Sequence, residues 1–142
     1  MKNRALLLLL TVSLPFCLFA QDAEEAEPAY RIFSIYFGGG SYYIDSEQEQ
    51  ALYDWLDGIP ELENHEIIVH GHTDNIGSVE YNRILSQYRC ESTVIKLMLK
   101  SIPRETIIVE DFGEENPIYN NETWNGKLHN RRVDVIIKPI AM

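Results

Sequence analysis

The sequence has few cysteines and no concentration of positive charge, and both shortages narrow the classes of protein to which it can belong. Its 142 residues include two cysteines, Cys17 and Cys90, so removal of a segment containing Cys17 would leave no partner for an internal disulfide. Twelve basic residues stand against 22 acidic ones, which gives a formal net charge of −10. Because phosphate binding needs a clustered positive surface, we predict no nucleic-acid partner.

Motifs of the common enzyme and nucleotide-binding classes are also missing. No Ser/His/Asp or Cys/His arrangement occurs at a recognisable spacing, and Glu114-Glu115 in a turn is interpreted as a solvated pair rather than an acid/base dyad. The glycines of Gly38-Gly39-Gly40 are not followed by the Gly-Lys-Ser/Thr of a phosphate-binding loop. We therefore predict neither an enzyme nor a cofactor.

Two histidines raise the question of a metal site. His70 and His72 are two residues apart on a predicted strand and share one face, with Asp74 next in register. No third histidine or cysteine lies at a ligand spacing, and His65 has the opposite parity. We predict that no functional metal binds there, although the three side chains leave a metal site as the alternative.

The first thirty residues differ in composition from the rest. Lys2 and Arg4 precede an apolar run from residue 5 to 20, about 16 residues and shorter than the roughly 20 that span a membrane. Ala20 provides the small residue of a cleavage site, so residues 1–20 are predicted to be a secretory signal peptide. Residues 21–30 form a short acidic lead, and residues 31–142 form one domain. Acylation at Cys17, as in a lipoprotein, is the alternative.

Hydropathy patterns predict two strand–helix units followed by two further strands. Ser46 and Glu49 match a capping box at the start of the first helix, and Ser78 is the predicted N-cap of the second. This order predicts an α+β sandwich, with two main helices packed on one face of a mixed four-stranded sheet. The predicted strands are 30–37, 66–72, 106–112 and 131–140, and the predicted helices begin at Ser46 and run from Ser78 to about Lys100.

The second predicted helix carries a polar stripe. Asn82, Ser86 and Arg89 are spaced i, i+4, i+7, so they share one side, which we expect at the rim of the buried face. Asp74 and Arg89 would then flank a small zwitterionic ligand or, alternatively, form a rim salt bridge. Cys90 is expected to be a small packed residue. The predicted apolar stripe contains Tyr81, Ile84, Leu85, Tyr88, Ile95 and Met98.

Two separate motifs resemble those of OmpA-like domains, the family of OmpA and MotB C-terminal and peptidoglycan-associated domains. The first motif is Gly71, His72, Thr73, Asp74, Gly77, Tyr81, Asn82, Leu85, Ser86 and Arg89. The second is Pro117, Asn121, Thr123, Gly126, Lys127, Asn130, Arg131, Arg132 and Val133. The resemblance covers residues 31–140 and implies the same βαβαββ sandwich.

The resemblance also implies a function. OmpA-like domains bind peptidoglycan non-covalently and hold the diamino acid of the stem peptide, usually diaminopimelate, through residues that correspond to Asp74 and Arg89. Thr73 and Asn82 would supply neutral contacts, and Arg131 is a further candidate. A carboxylate and a guanidinium suit the ammonium and carboxylate of a free amino-acid end. The implied location is the periplasm, with association to the outer membrane.

Two features leave room for a different reading of the family resemblance. Gly38 and Gly40 stand where OmpA-like domains tend to have polar or acidic residues, so only backbone contacts from that loop are expected. The alternative function is a structural or adaptor subunit that uses the fold to hold outer-membrane or other envelope proteins. Eight tyrosines and two tryptophans could serve such a surface, but most are predicted to lie on core faces.

Overall fold

The computed structural model describes residues 30–140. The predicted signal peptide, the alternative of acylation at Cys17 and nearly all of the acidic lead lie outside the described residues. Among residues 30–140, no helix combines the length and the apolar character needed to cross a membrane. The elements are β1 (Arg31–Tyr36), α1 (Ser46–Asp57), β2 (His65–His72), α2 (Val79–Leu99), β3 (Ile107–Gly113), α3 (Trp124–Asn130) and β4 (Arg132–Pro139).

The strands of residues 30–140 form one mixed four-stranded sheet in the order β1-β4-β2-β3. β4 is antiparallel to both of its neighbours, whereas β2 and β3 are parallel. A parallel pair requires a long crossover, and α2 supplies it. The α+β sandwich predicted from the sequence is confirmed, and the short helix α3 is an addition that the sequence analysis did not assign.

The hydrophobic core lies between one face of the sheet and the helices α1 and α2. Alternate residues of β1 and β4 point into it, as their predicted patterns required. The opposite face of the sheet is covered at one end by α3 and the loop before it, where the His129 ring contacts Tyr36 and the Tyr119 ring lies over Arg132. The buried core residues are Ile35, Phe37, Ile44, Leu52, Leu56, Ile59, Ile67, Val69, Cys90, Val94, Leu97, Ile102, Ile107, Val133, Val135 and Ile137.

The two long helices differ in how well their starts were predicted. Ser78 is the N-cap of α2, since its hydroxyl accepts a hydrogen bond from the backbone N–H of Tyr81 at 3.1 Å. The predicted capping box of α1 is wrong by one residue. Asp45 is the N-cap and accepts from the N–H of Gln48 at 2.9 Å, because its carboxylate is a stronger acceptor than a hydroxyl at a helix N-terminus.

The predicted apolar stripe of α2 is wrong. Its members Tyr81, Tyr88, Ile95 and Met98 are about half exposed. The buried face instead carries many small or polar residues, because β2 and α2 touch at Gly71. A Cβ added there would lie 2.5 Å from Cys90 Sγ and 2.7 Å from the Ser86 carbonyl oxygen, so large side chains have no room. The buried residues of α2 are Asn82, Leu85, Ser86, Arg89, Cys90, Thr93, Val94 and Leu97.

Candidate functional site

The candidate site is built around Asp74, in the turn between β2 and α2. Its side chain is 8% exposed, and its two oxygens have different partners. Oδ1 accepts from the backbone N–H of Ile76 at 3.1 Å, which closes a turn of the Asx type. Oδ2 accepts from Nε of Arg131 at 2.6 Å. Gly77 adopts a φ of +111°, which an L side chain rarely tolerates, so the turn needs glycine before the helix begins.

Arg131 approaches Asp74 from the junction of α3 and β4. Its side chain is 7% exposed, and its guanidinium carbon lies 5.1 Å from the ring centroid of Trp124, a cation–π distance. The backbone of Gly39 lies on the guanidinium, since a Cβ added there would be 3.5 Å from Nη1. Among residues 30–140, the terminal nitrogens of Arg131 donate to no protein acceptor, so they are available to a ligand.

Arg89 lies near Asp74 and Arg131 and is 1% exposed. Nε donates to the carbonyl of Ser41 at 2.8 Å, Nη1 to that of His72 at 2.9 Å, and Nη2 to that of Gly38 at 3.1 Å. The Arg89 guanidinium carbon lies 5.0 Å from the ring centroid of Phe37. A guanidinium has five N–H groups, so one N–H on each terminal nitrogen remains beyond these three bonds.

The charges of the site do not balance. One carboxylate, Asp74, is near two guanidinium groups, Arg89 and Arg131. Burial lowers the pKa of Arg89 to about 10, with Asp74 opposing the shift and Arg131 adding to it. Arg89 therefore stays charged at neutral pH, and the three groups carry one net positive charge. An additional carboxylate from a ligand would complete the pairing.

The expected rim salt bridge between Asp74 and Arg89 is not what the structure contains. Arg89 is an interior residue bonded to carbonyls, and Asp74 pairs with Arg131 instead. The polar stripe of Asn82, Ser86 and Arg89 is likewise buried rather than at a rim, because Ser86 and Arg89 bond to backbone groups of neighbouring strands and loops and Asn82 bonds to the carboxylate of Glu114. Ser86 Oγ, for example, accepts from the N–H of Gly113 at 3.0 Å.

The two neutral candidates of the site are already engaged with protein atoms. The hydroxyl of Thr73 donates to the carbonyl of Asp74 at 2.9 Å, and the amide of Asn82 donates to the carboxylate of Glu114. The interpretation of Glu114 as a merely solvated residue is therefore wrong. Asn82 and Glu114 connect α2 to the turn after β3, which holds the Asp74 side of the site in place.

The glycine loop contributes carbonyl oxygens to the site, and the backbone contacts to a ligand that the sequence led us to expect stay a prediction. Gly38 and Ser41 accept from Arg89, and Gly40 has a φ of +67°. A Cβ added at Gly40 would be 3.2 Å from the hydroxyl of Tyr81. The loop thus packs on Arg89, Arg131 and Tyr81 with its main chain.

The histidine pair lies on the sheet face opposite α1 and α2. His70 Nε2 is 3.2 Å from Glu110 Oε2, and His72 Nε2 is 3.9 Å from Asp134 Oδ2, with Phe112 against both rings. No group of three or more metal-ligating side chains lies together in the part of the chain that the structure describes. The absence of a functional metal remains a prediction.

Cys90 is a packed residue, as the sequence predicted. It is fully buried against Gly71, and burial raises the pKa of its thiol to about 12. Because the thiolate is the reactive form, this cysteine is inert at neutral pH.

His72 is expected to make folding stability depend on pH. Burial lowers its pKa from 6.5 to about 4, with Arg132 and His70 adding to the shift and Asp134 opposing it. Between about pH 6.5 and pH 4, His72 therefore binds a proton in the unfolded chain but stays neutral in the folded chain. This contribution to stability is fully present above about pH 6.5 and is lost as the pH falls toward 4, on the order of 3 kcal/mol in all.

Chemical denaturation at pH 7 and at pH 4.5 measures this effect. The variant His72→Gln cannot titrate, so we expect the wild type to lose more unfolding free energy between the two pH values than the variant does. Equal losses in the two proteins would show that other groups cause the acid sensitivity.

A depression of about 690 Å³ lies at the opposite edge of the sheet from Asp74, between the start of β2 and the end of α2. Leu62, Ile67, Ile102 and Ile140 are among its lining residues. None of the predicted site residues borders it. The Asp74 site lies away from this depression, and Arg131 there contacts one of the two carboxylate oxygens of Asp74.

Sequence reasoning missed three contributors to the site. The place of Glu114 could have been predicted, because Glu114 follows β3 and Asp74 follows β2, and the ends of two parallel strands lie together. Trp124 is 66% exposed, and an exposed aromatic residue two turns before Arg131 marks a surface that contacts something other than the core. The carbonyls of the Gly38 loop had no signal, because any residue offers the same oxygen.

Together, the fold and the site define a small α+β sandwich with a buried carboxylate–guanidinium pair at the edge of its sheet. The family model described as the OmpA family matches residues 36–131, which is more than half of the chain. The chain therefore belongs to the OmpA family, and the resemblance found in the sequence is confirmed.

Curated relatives agree with this assignment. The chain is 28% identical over 120 residues to the peptidoglycan-associated lipoprotein of Buchnera aphidicola subsp. Baizongia pistaciae, covering 83% of this chain and 69% of that protein. It is 32% identical over 124 residues to outer membrane protein A of Bordetella avium, covering 83% of this chain and 63% of that protein. The family is one of peptidoglycan-binding and structural proteins, so the prediction that the chain is not an enzyme is confirmed.

Solved structures give the same fold. The peptidoglycan-associated lipoprotein from Burkholderia pseudomallei superposes with a TM-score of 0.68 at 26% identity, covering 74% of this chain and 89% of that chain. The periplasmic domain of Helicobacter pylori MotB gives 0.63 at 18% identity, covering 78% of this chain and 76% of that chain, a likeness of fold alone.

Proposed function

We propose that this domain binds peptidoglycan by holding the free amino-acid end of a stem-peptide diamino acid of the diaminopimelate type. The observation that carries the proposal is the unbalanced site, in which one carboxylate is near two guanidinium groups at an edge of the sheet. A zwitterionic ligand would supply a carboxylate to the two guanidinium groups and an ammonium that donates a hydrogen bond to Asp74.

We propose a role for each residue that is consistent with its contacts. Asp74 accepts from the ligand ammonium, since two carboxylate oxygens offer about four acceptor positions and the protein uses two of them. The remaining N–H groups of Arg89 and the terminal nitrogens of Arg131 donate to the ligand carboxylate. Thr73 and Asn82 hold the Asp74 turn in position and line the ligand.

The relatives support this proposal and its location. Relatives of this chain include proteins named peptidoglycan-associated lipoprotein and outer membrane protein A. We place the protein in the periplasm, with association to the outer membrane and with envelope proteins as further partners. The signal peptide over residues 1–20 belongs to this proposal, and the mass of the secreted protein would separate cleavage after Ala20 from acylation at Cys17.

Competition against isolated cell-wall sacculi tests the ligand. We expect the protein to sediment with sacculi that contain diaminopimelate, and free diaminopimelate to release it. Pimelate lacks both ammonium groups, and cadaverine lacks both carboxylates, so each leaves one side of the site unpaired. Each loss costs about 1–3 kcal/mol, which corresponds to roughly 5-fold to 150-fold weaker competition. Equal release by all three compounds would contradict a zwitterion site.

The alternative of an adaptor subunit is favoured by one observation. The prediction that most aromatic residues lie on core faces is wrong, because seven of the eight tyrosines and Trp124 are substantially exposed. Tyr42 and Tyr88 lie together on one such surface, with ring centroids 5.4 Å apart. Failure to sediment with sacculi, together with co-purification of one envelope protein, would favour the adaptor.

A further inference from the structure

The sheet face opposite α1 and α2 carries a continuous row of isoleucines. Ile32 of β1 is in register with Ile136 of β4, which is in register with Ile68 of β2, and Ile68 with Ile108 of β3. The row therefore crosses every strand of the described sheet. Ile32 is 59% exposed and Ile108 is 43% exposed, so both ends of the row are open to solvent. Four branched apolar side chains in line across an exposed face indicate an interaction surface.

Charged rows flank the isoleucines on both sides. Toward the Asp74 edge, Asp134 of β4 is in register with His70 of β2. Toward the opposite edge, Lys138 of β4 is in register with Glu66 of β2. β4 thus carries a carboxylate two residues before Ile136 and an ammonium two residues after it. Glu110 of β3 continues the row of Asp134 and His70, so this row is acidic.

This arrangement is complementary to itself. A two-fold rotation about the isoleucine row lays a second copy face to face with the first, β4 over β4 and β2 over β2. The rotation exchanges the two charged rows, so that Asp134 of each copy faces Lys138 of the other, and His70 faces Glu66. Self-complementarity of one patch is what a two-fold interface requires.

Two face-to-face arrangements have two-fold symmetry, one with the axis along the isoleucine row and one with the axis parallel to the strands. The position of α3 favours the axis along the isoleucine row. α3 and the preceding loop stand over the end of the face near Tyr36 and Arg132. A two-fold axis parallel to the strands would bring these raised ends of the two copies together. With the axis along the isoleucine row, each raised end lies beyond the end of the partner sheet, near its Ile140, which is 56% exposed.

We propose that this face is the interface of a two-fold homodimer in which the isoleucine rows of two copies pack on each other. The partner is a second copy because the rotation that superposes the apolar rows brings Asp134 of each copy opposite Lys138 of the other. Four strands at about 4.8 Å spacing make a face roughly 19 Å wide, and central strands of 8 residues at about 3.3 Å each make it roughly 26 Å long. This is about 500 Å² for each copy, or about 1,000 Å² in total, which is at the small end of specific interfaces. The dimer is therefore weak and concentration-dependent. This inference does not depend on the proposed wall ligand.

Sedimentation velocity of the full chain over a concentration series tests the dimer, at physiological salt so that the net charge of −10 is screened. We expect the wild type to change from monomer to dimer between micromolar and millimolar concentrations. Ile136→Lys places two cations at the axis and should weaken the dimer by at least about tenfold, equivalent to 1.4 kcal/mol. The matched control is Ile95→Lys, which alters a 55% exposed isoleucine of α2 and should dimerise as the wild type does.

A charge exchange supplies a second variant that preserves the monomer. Glu66→Lys with Lys138→Glu keeps both the net charge and the cross-strand pair within one chain. In the proposed dimer the introduced carboxylate faces Asp134 of the other copy, so dimerisation should be lost. Unchanged dimerisation of the exchanged variant would overturn the proposed axis. A wild type that stays monomeric at millimolar concentration, or an Ile136→Lys variant that dimerises normally, would overturn the interface itself.

Discussion

Replacing Asp74 with asparagine is expected to weaken binding to sacculi roughly 30-fold to several-thousand-fold. Loss of a charge-assisted contact in a desolvated site costs about 2–5 kcal/mol. Asparagine keeps the shape of the side chain and an oxygen for the N–H of Ile76, so the turn is preserved. What it loses is the charge that accepts the ligand ammonium and that pairs with Arg131. Binding isotherms with purified sacculi measure the change.

Two further variants separate the ligand contact from the fold. Asp57→Asn removes a carboxylate of an exposed pair with Lys100 and should bind as the wild type does. Asp74→Asn alone leaves the Arg131 guanidinium buried without a carboxylate, so its melting temperature should fall. Adding Arg131→Gln removes that unpaired charge and should recover part of the melting temperature but none of the binding. Wild-type affinity in the double variant would contradict the role assigned to Asp74.

Replacing Arg89 with alanine is expected to lower the free energy of unfolding by about 3–5 kcal/mol. A fully buried side chain is removed, and the buried carbonyl of His72 and the partly buried carbonyls of Gly38 and Ser41 lose their donor at once. For a domain of about 100 residues this corresponds to a fall in melting temperature of more than about 12 °C. The sequence analysis treated Arg89 as a rim residue, whereas its burial makes it a support of the fold. Thermal denaturation followed by circular dichroism measures the loss.

Arg83 of the same helix provides a matched control. It forms an exposed pair with Glu80 at 3.0 Å, and such pairs contribute under about 1 kcal/mol. Arg83→Ala should therefore melt close to the wild type. If Arg89→Ala and Arg83→Ala melted together, the carbonyl contacts of Arg89 would not support the fold. Loss of wall binding by Arg89→Ala alone cannot identify a ligand contact, which is why Asp74 is the more informative position.

Local signals predicted most of the fold. The alternation of β1 and β4 and the N-cap at Ser78 follow from neighbouring residues, and the structure confirms them. The short helix α3 spans 7 residues, too few for a helical period to be visible in the sequence. The buried face of α2 was mispredicted because the contact at Gly71 demands small residues, and hydropathy does not report distance between elements.

The sequence predicted that the candidate site residues lie together but not how they pair, and their contact with a ligand stays a prediction. Thr73, Asp74, Asn82, Arg89 and Arg131 lie near one another, as the two motifs indicated. Which arginine meets Asp74 depends on contacts between residues 57 positions apart in the chain. Charge alone makes Arg89 and Arg131 equivalent partners, and the carbonyls that engage Arg89 are invisible in a sequence.

The strand order has a mechanical consequence for the proposed binding to the cell wall. Tyr30 and Pro139 lie at one end of the strands, while Asp74 lies beyond their other end. A force that pulls on Tyr30 while a ligand is held at Asp74 therefore acts along β1 and shears it against β4. Antiparallel hydrogen bonds run perpendicular to the strands, so this load must break the β1–β4 ladder together rather than one bond at a time. The β1–β4 ladder therefore resists tension along the strands, and the rate of unfolding sets how long it holds.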